Sequence, residues 1–441
     1  MGKKKMWFES SVFYQIYPLG ACGAPFENDH QFVHRLEKLD GWIDDLGKLG
    51  VDCILLNPVF DCVSHGYDTT DYFTVDPRLG DNEDLARFVH KCHEQNIKVI
   101  LDGVFNHVGR QFAPFLDVVE KRENSPYFHW FMIDLNGNSQ YNDGLSYQDW
   151  EGNDNLVKLN LDNQEVIDYL FSVVKYWIDT FEIDGLRLDV AYCLSPKFLR
   201  QLHQYTKSIR SDFFLMGETL HGDYNQWVNE EMLDSCTNYE CYKGLYSSFN
   251  TRNFFEILYS FNRQFGNEQW CLYRGKHLFN FVDNHDVERI ASILDEKIDL
   301  PLIYTMLFTM PGIPCLYYGS EWGIEGKKNW NDTELRPEIE TLCRNELTDH
   351  IQKLIEIHHT HQALIDGGYA QVALTNTACV YARENETECV WTCININEDP
   401  IRLQVPFDGK MIDLLHDNSV YEIYGEIEIQ GHGALILQRE K

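Results

Sequence analysis

Short runs of β-branched and aromatic residues alternate with stretches of helical periodicity through most of the chain, the pattern of a parallel sheet assembled from βα units. Eight such runs are read, at Val12 to Leu19, Val51 to Phe60, Lys98 to Val104, Gly185 to Val190, Phe213 to Glu218, Asp234 to Glu240, His277 to Asn284 and Cys315 to Glu321. Eight βα units predict an α/β fold closed into a (β/α)8 TIM barrel. Between the second and third runs, Asp81 is placed to cap a helix whose Leu85, Phe88, Val89 and Cys92 share one face. Another helix follows Asp162 and Glu165, spaced as a capping box, and carries the stripe Val166, Ile167, Leu170, Val173, Val174 and Trp177.

Two places break this repeat. Strand three to strand four takes about 80 residues, where one loop and one helix need far fewer. The stretch 107–160 is rich in Asn, Gly and aromatics (SPYFHWF, SYQDWEGN) and lacks helical period, which predicts a small irregular domain inserted over the barrel mouth. Later the pattern turns to alternation without helices (QVALTNTACVYAR, CVWTCININ, IRLQVPF, EIEIQGHGALILQ), predicting a C-terminal all-β sandwich domain over 367–441. The barrel is then left with 1–106 and 161–366.

Charge narrows the partners. Against 37 Lys and Arg stand 69 Asp and Glu, a net charge of -32. That balance argues against nucleic acid, whose phosphates need a basic face, and the acidic surface is read as solvation. The 13 cysteines are odd in number and scattered from Cys22 to Cys393, unlike a disulfide framework, and read as reduced thiols. The charged start MGKKK is followed by no apolar stretch long enough for a signal peptide before Glu9 intervenes. The most apolar run, from Leu300, is broken by Pro301, Pro311 and Pro314, so no membrane span is expected and a cytoplasmic location is.

In a barrel of this kind chemistry collects at the C-terminal ends of the strands. Asp189 ends GLRLDV, Glu218 ends FFLMGE and Asp286 follows FNFVDNH. Asp189 and Glu218 come from adjacent strands about 4.8 Å apart, so their carboxyls are expected about 5 Å apart, a spacing that suits a retaining glycosidase. Ordinary salt bridges to barrel Lys or Arg are the alternative for any one of them. Arg187, two residues before Asp189 on the same strand face, is expected to keep that acid ionised.

The chain resembles the alpha-amylase family, glycoside hydrolase family 13, over nearly its whole length. DGVFNHVGR at 102–110, GLRLDVA at 185–191, MGE at 216–218 and FVDNHD at 281–286 match its four motifs, with HGYDTTDY at 65–72 and GIPCLYYGSEWG at 312–323 in the order a barrel with an inserted domain B requires. The resemblance implies that Asp189 is the nucleophile, Glu218 the general acid/base and Asp286 the acid that stabilises the transition state. It implies sugar contacts for Tyr67, His107 and His285, places Arg187 and His221 in the binding set, and puts Arg289 behind the site.

DGVFNHVGRQFAPFLDV and LVKLN are more similar to the cyclomaltodextrinase and neopullulanase branch than to secreted alpha-amylases. This implies an α-1,4-glucan substrate such as a maltooligosaccharide, a cyclodextrin or starch-derived α-glucan. The N-terminal domain through which that branch dimerises has no counterpart before Val12, so a monomer is expected. Thr219 and Leu220 stand where the branch has an apolar residue and Trp. Ala191, Tyr192 and Cys193 replace the Lys-His of the secreted enzymes, so calcium stays open but is not supported by the motif after Asp189; Asn106 alone does not make a site of six to eight oxygens. No cofactor is required and no zinc spacing is present. The alternatives are a transglycosylase using the same residues and a non-catalytic carbohydrate-binding relative.

Overall fold

The computed structural model describes residues 5–440. Residues 1–4, with most of the charged start, and 441 lie outside the described residues. All eight runs form strands: β1 Phe13–Ile16, β2 Cys53–Leu56, β3 Lys98–Gly103, β4 Gly185–Leu188, β5 Phe214–Gly217, β6 Ser235–Cys236, β7 Phe279–Asn280 and β8 Ile313–Tyr317. They pair in parallel in the order β6-β5-β4-β3-β2-β1-β8-β7, and a parallel bridge between Thr237 and Phe279 joins the two ends into a barrel.

The strands are shorter than their apolar runs. Pro18 ends the first by opening a helical turn, Pro18–Ala21. The sixth stops at Cys236 because the Asn238 side chain accepts the Cys241 N–H and starts helix Tyr239–Asn250, so Glu240 is helical. Alternation sorts the side chains. Phe13, Cys53, Leu55, Ile100, Phe214, Met216, Ile313 and Cys315 pack with one another in one core cluster. Ile54, Leu56, Val99, Leu101, Leu186, Leu188 and Leu215 belong to the large core that includes the helices. Fully burying such a side chain stabilises by about 1.5–3 kcal/mol.

Helix Asn82–Glu94 starts with the expected Asp81 cap, completed by Asp84 as a capping box. The other helix spans Gln164–Phe181, but its cap is Asn163, one residue after Asp162, accepting from the Glu165 N–H. No reciprocal box forms there, because the shifted cap puts Val166 at the third helical position, and the Glu165 carboxylate instead takes the Trp130 indole N–H at 3.3 Å. Trp177, fully buried, donates to the Tyr72 carbonyl at 2.8 Å.

Between β3 and β4, His107–Gly109 pairs antiparallel with Asn153–Lys158, which also pairs with Asp149–Trp150. Besides these strands, which the sequence reading did not name, the segment holds helix Ala113–Lys121. It hides only Phe115 and Val118, too few positions to show a helical period.

After the barrel come β9 Gly368–Leu374, β10 Ala378–Glu384, β11 Glu388–Asn395, β12 Ile401–Asp413, β13 Ser419–Ile429 and β14 Gly433–Glu440. They form one antiparallel sheet in the order β9-β10-β11-β14-β12-β13. Cys379, Tyr381, Val390, Ile394 and Ile436 join the barrel's core, while Val380, Trp391 and Cys393 pack with Leu403, Val405, Ile423 and Ile427 in a second core. The six strands thus make one continuous sheet rather than two, with a register shift between Gln404 and Asp408 in the β12–β13 pair. Among the described residues no helix is long and apolar enough to cross a membrane, and all 13 cysteines are free thiols.

Candidate active site

The cleft opens at the C-terminal ends of the strands, and its floor is organised by Arg187. β4 runs Gly185-Leu186-Arg187-Leu188, so alternation sends Arg187 to the face opposite the two leucines. In register beside it on β3 is Asp102. The Arg187 guanidinium donates through Nη1 to both Asp102 oxygens at 2.9 Å and to Asp189 Oδ1 at 2.8 Å. Its Nη2 lies 3.0 Å from Glu218 Oε2. The same Glu218 oxygen accepts the Val190 N–H at 2.9 Å. Val190 has φ 39 and ψ 47, a left-handed conformation that costs a β-branched residue about 1–3 kcal/mol and that here turns its N–H toward the acid.

Asp189 and Glu218 are each only 5% exposed. Burial raises both acids above their ordinary range, against the pull of Arg187, and mutual repulsion adds to the rise at Asp189. At Glu218 the second contribution upward is the charge of Asp286. Three carboxyls around one guanidinium leave the Asp189–Glu218 pair holding a proton above the usual carboxylate range.

Asp286 lies across the cleft in the turn after β7. Burial works against its charge, but His285, with Nε2 at 3.0 Å, and Arg336, with Nη2 at 3.0 Å, hold it well below the usual carboxylate range. His285 is fixed on its other side by Gln15, whose amide lies 2.8 Å from Nδ1. Tyr67 donates to Asp102 at 3.0 Å, and its ring stacks on His285 with centroids 5.6 Å apart. His107 is pushed down to about 4 by burial, so it is neutral near pH 7. Its Nε2 and the Trp150 indole nitrogen are buried atoms without a hydrogen-bond partner, and both residues line the cleft.

The cleft encloses about 500 Å³ and is lined by Asp189, Glu218, Asp286, Tyr67 and His107 among the residues expected from sequence. Three expectations change. Arg187 sits beneath the acids, saturated by carboxylates, and supports the cleft rather than lining it. His285 likewise lies behind Tyr67 and Asp286. His221 is exposed at the rim, its ring 6.2 Å from that of Tyr192, because the chain turns outward after Thr219. Arg289 donates to the Tyr318 and Leu335 carbonyls and to Ser320, tying β8 to the loop beyond it.

The sequence reading missed Asp102, Gln15, Asn57 and Arg336 as supports and Trp150, Tyr192, Asp332 and Lys328 as lining, while Leu220, noted there as standing in for a Trp, does line the cleft. For Asp102 a signal existed: KVILDG and GLRLDV each carry a charge inside an apolar strand, of opposite sign and on neighbouring strands. Asn106 is buried with its amide nitrogen 3.1 Å from His107 Nδ1. Among the described residues the group with metal-ligand spacing is His34, Asp81 and Asp84, and it is engaged in the helix cap and a His34–Asp84 contact at 2.6 Å.

The alpha-amylase profile, described as alpha amylase, catalytic domain, matches residues 37–370. Maltogenic alpha-amylase of Bacillus acidopullulyticus is 30% identical over 424 residues, 91% of this chain and 72% of that protein. Cyclomaltodextrinase of Geobacillus thermopakistaniensis is 31% identical over 440 residues, 92% of this chain and 72% of that one. A solved cyclomaltodextrinase superposes with a TM-score of 0.86 at 28% identity, covering 99% of this chain and 78% of that structure.

Proposed function

The chain belongs to the alpha-amylase family of glycoside hydrolases, and from that premise we propose that it hydrolyses α-1,4 bonds of short maltooligosaccharides and cyclodextrins, retaining configuration through a covalent glycosyl-enzyme. The observation that carries this reading is the single Arg187 guanidinium engaging both Asp189 and Glu218. Two carboxyls on one planar cation favour the close spacing of retaining glycosidases, about 5–5.5 Å, over the ~6.5–9.5 Å of inverting ones.

Asp189 attacks the anomeric carbon while the bond to the leaving sugar breaks and its electron pair passes to the leaving oxygen. Glu218 delivers its proton to that oxygen; burial and the Asp286 charge keep the proton available. A water then enters, Glu218 takes its proton, the water oxygen bonds to the anomeric carbon, and Asp189 departs as carboxylate. Asp286, kept anionic by His285 and Arg336, supports the cationic transition state and binds ring hydroxyls. The neutral His107 and the Trp150 indole offer unpartnered groups to sugar oxygens. Free thiols suit a reducing compartment, which supports a cytoplasmic location.

The test is a timed product profile from maltoheptaose and β-cyclodextrin with the first-formed anomer read by proton NMR. Shorter sugars, opened cyclodextrin and the α-anomer first are expected. Early products longer than maltoheptaose would make transfer the main reaction. A β-anomer first would overturn retention, and no turnover of either substrate would overturn the substrate assignment.

A further inference from the structure

Trp330 is 88% exposed, the highest value among the exposed large apolar side chains of the described residues. A lone exposed apolar residue needs no explanation, but this one has structured neighbours. It stands on the loop between β8 and helix Glu346–Thr360, and Lys328, Asp332 and Arg336 of that loop line the catalytic cleft. Phe26, itself 37% exposed, meets it edge-on with ring centroids 6.1 Å apart.

Beside Phe26 lies a second hollow of about 270 Å³, lined among others by Tyr17, Asn331, Arg336 and Glu338. Arg336 borders both hollows and also holds Asp286, so the second adjoins the cleft. The contact between the two loops is close. A Cβ on Gly20 would lie 2.1 Å from the Arg336 carbonyl oxygen, and one on Gly23, which has φ +71, would lie 2.3 Å from the Glu338 carboxyl. This packing fixes Phe26 against the loop that carries Trp330.

We propose that Phe26 and Trp330 form an outer subsite that stacks a glucosyl unit of a longer α-glucan on the non-reducing side of the bond cleaved. The inference rests on the function proposed above. Glu218 protonates the leaving oxygen, so its side of the cleft takes the leaving sugar, and the Asp286–Arg336 side takes the retained one. The aromatic pair lies on this second side, past Arg336. A pyranose presents apolar C–H faces suited to ring stacking, and the Asn331 amide lines the adjoining hollow within reach of its hydroxyls.

The experiment compares kcat/KM on maltotriose through maltoheptaose for the unmodified protein, Trp330→Ala, Phe26→Ala and Trp330→Phe. Trp330→Ala should lower kcat/KM for maltoheptaose about five- to tenfold, change that for maltotriose less than about twofold, and shift maltoheptaose cleavage toward shorter retained fragments. Trp330→Phe should restore most of the loss. If the unmodified protein turns over neither sugar, the proposed function fails. If it does, and Trp330→Ala acts equally at every length or at none, the subsite alone fails. A changed elution volume of Trp330→Ala with an unchanged length profile would assign the aromatic pair to contact with a second copy and would equally overturn the proposal.

Discussion

Arg187 is bonded to three carboxylates supplied from β3, β4 and β5, whereas Tyr192, five residues further on, reaches toward the inserted segment through one 3.3 Å hydrogen bond to Glu151. The first arrangement is largely buried and over-determined: moving any member leaves a charge without its partner where solvent contact is slight. The second is exposed, and water replaces either partner when it is removed. The difference divides the cleft into a floor where substitution alters chemistry and walls where substitution tunes which sugar binds.

Asp189→Asn is the hardest test of that division. The amide keeps the shape and can still accept from Arg187, but it cannot form the glycosyl ester. The expected loss in kcat is about 10⁴-fold, near 5 kcal/mol, with the far-UV circular dichroism spectrum unchanged. Retention of a tenth of the activity would remove Asp189 from the nucleophile's role and with it the premise that the floor holds the chemistry.

A buried acid on the helix-facing side of the barrel gives a smaller and pH-dependent effect. Glu321, 2% exposed beyond β8, accepts the Tyr14 hydroxyl at 2.6 Å while its Oε2 is buried without a partner. Burial raises this acid to about 7. The native state therefore keeps a proton that the unfolded chain, at an ordinary value near 4.5, has released, and stability present below about pH 4.5 is lost as pH rises to about 7. Glu321→Gln removes that dependence. Its stability relative to the unmodified protein should rise between pH 4.5 and 7 by up to ~3 kcal/mol, measured by urea unfolding. A constant difference across that range would show that Glu321 is not held protonated.

These two regions were unequally legible in the sequence. The barrel could be read because parallel strands buried on both faces are short apolar runs, and CILL, GLRL and FLMG stand out as such. The three acids could be read because each closes or follows such a run. The partners that fix them could not, since Gln15, Asn57 and Arg336 come from separate strand ends and a loop and meet only once the barrel closes. Helix Ala113–Lys121 and the lining residues Trp150 and Tyr192 stayed hidden for a related reason, because irregular segments carry no period from which facing positions follow. His221 was placed on motif alone, and the outward turn after Thr219 is a matter of backbone path.

The smallest expected effect falls on the wall. Tyr192→Phe keeps the ring that lines the cleft and removes only the hydroxyl that meets Glu151. Glu151 is exposed and the contact is long, so its net worth is about 0.5 kcal/mol or less. Because Tyr192 lies on the Glu218 side, the change should appear in the capture of the leaving or accepting sugar. On maltotriose kcat should stay within about twofold, while the ratio of transfer products to hydrolysis products at high substrate shifts by a similar factor. Product ratios resolved by chromatography would decide it. A loss of kcat approaching that of Asp189→Asn would mean that the Tyr192–Glu151 contact positions the floor itself, and the separation of chemistry from wall would not hold on this side of the cleft.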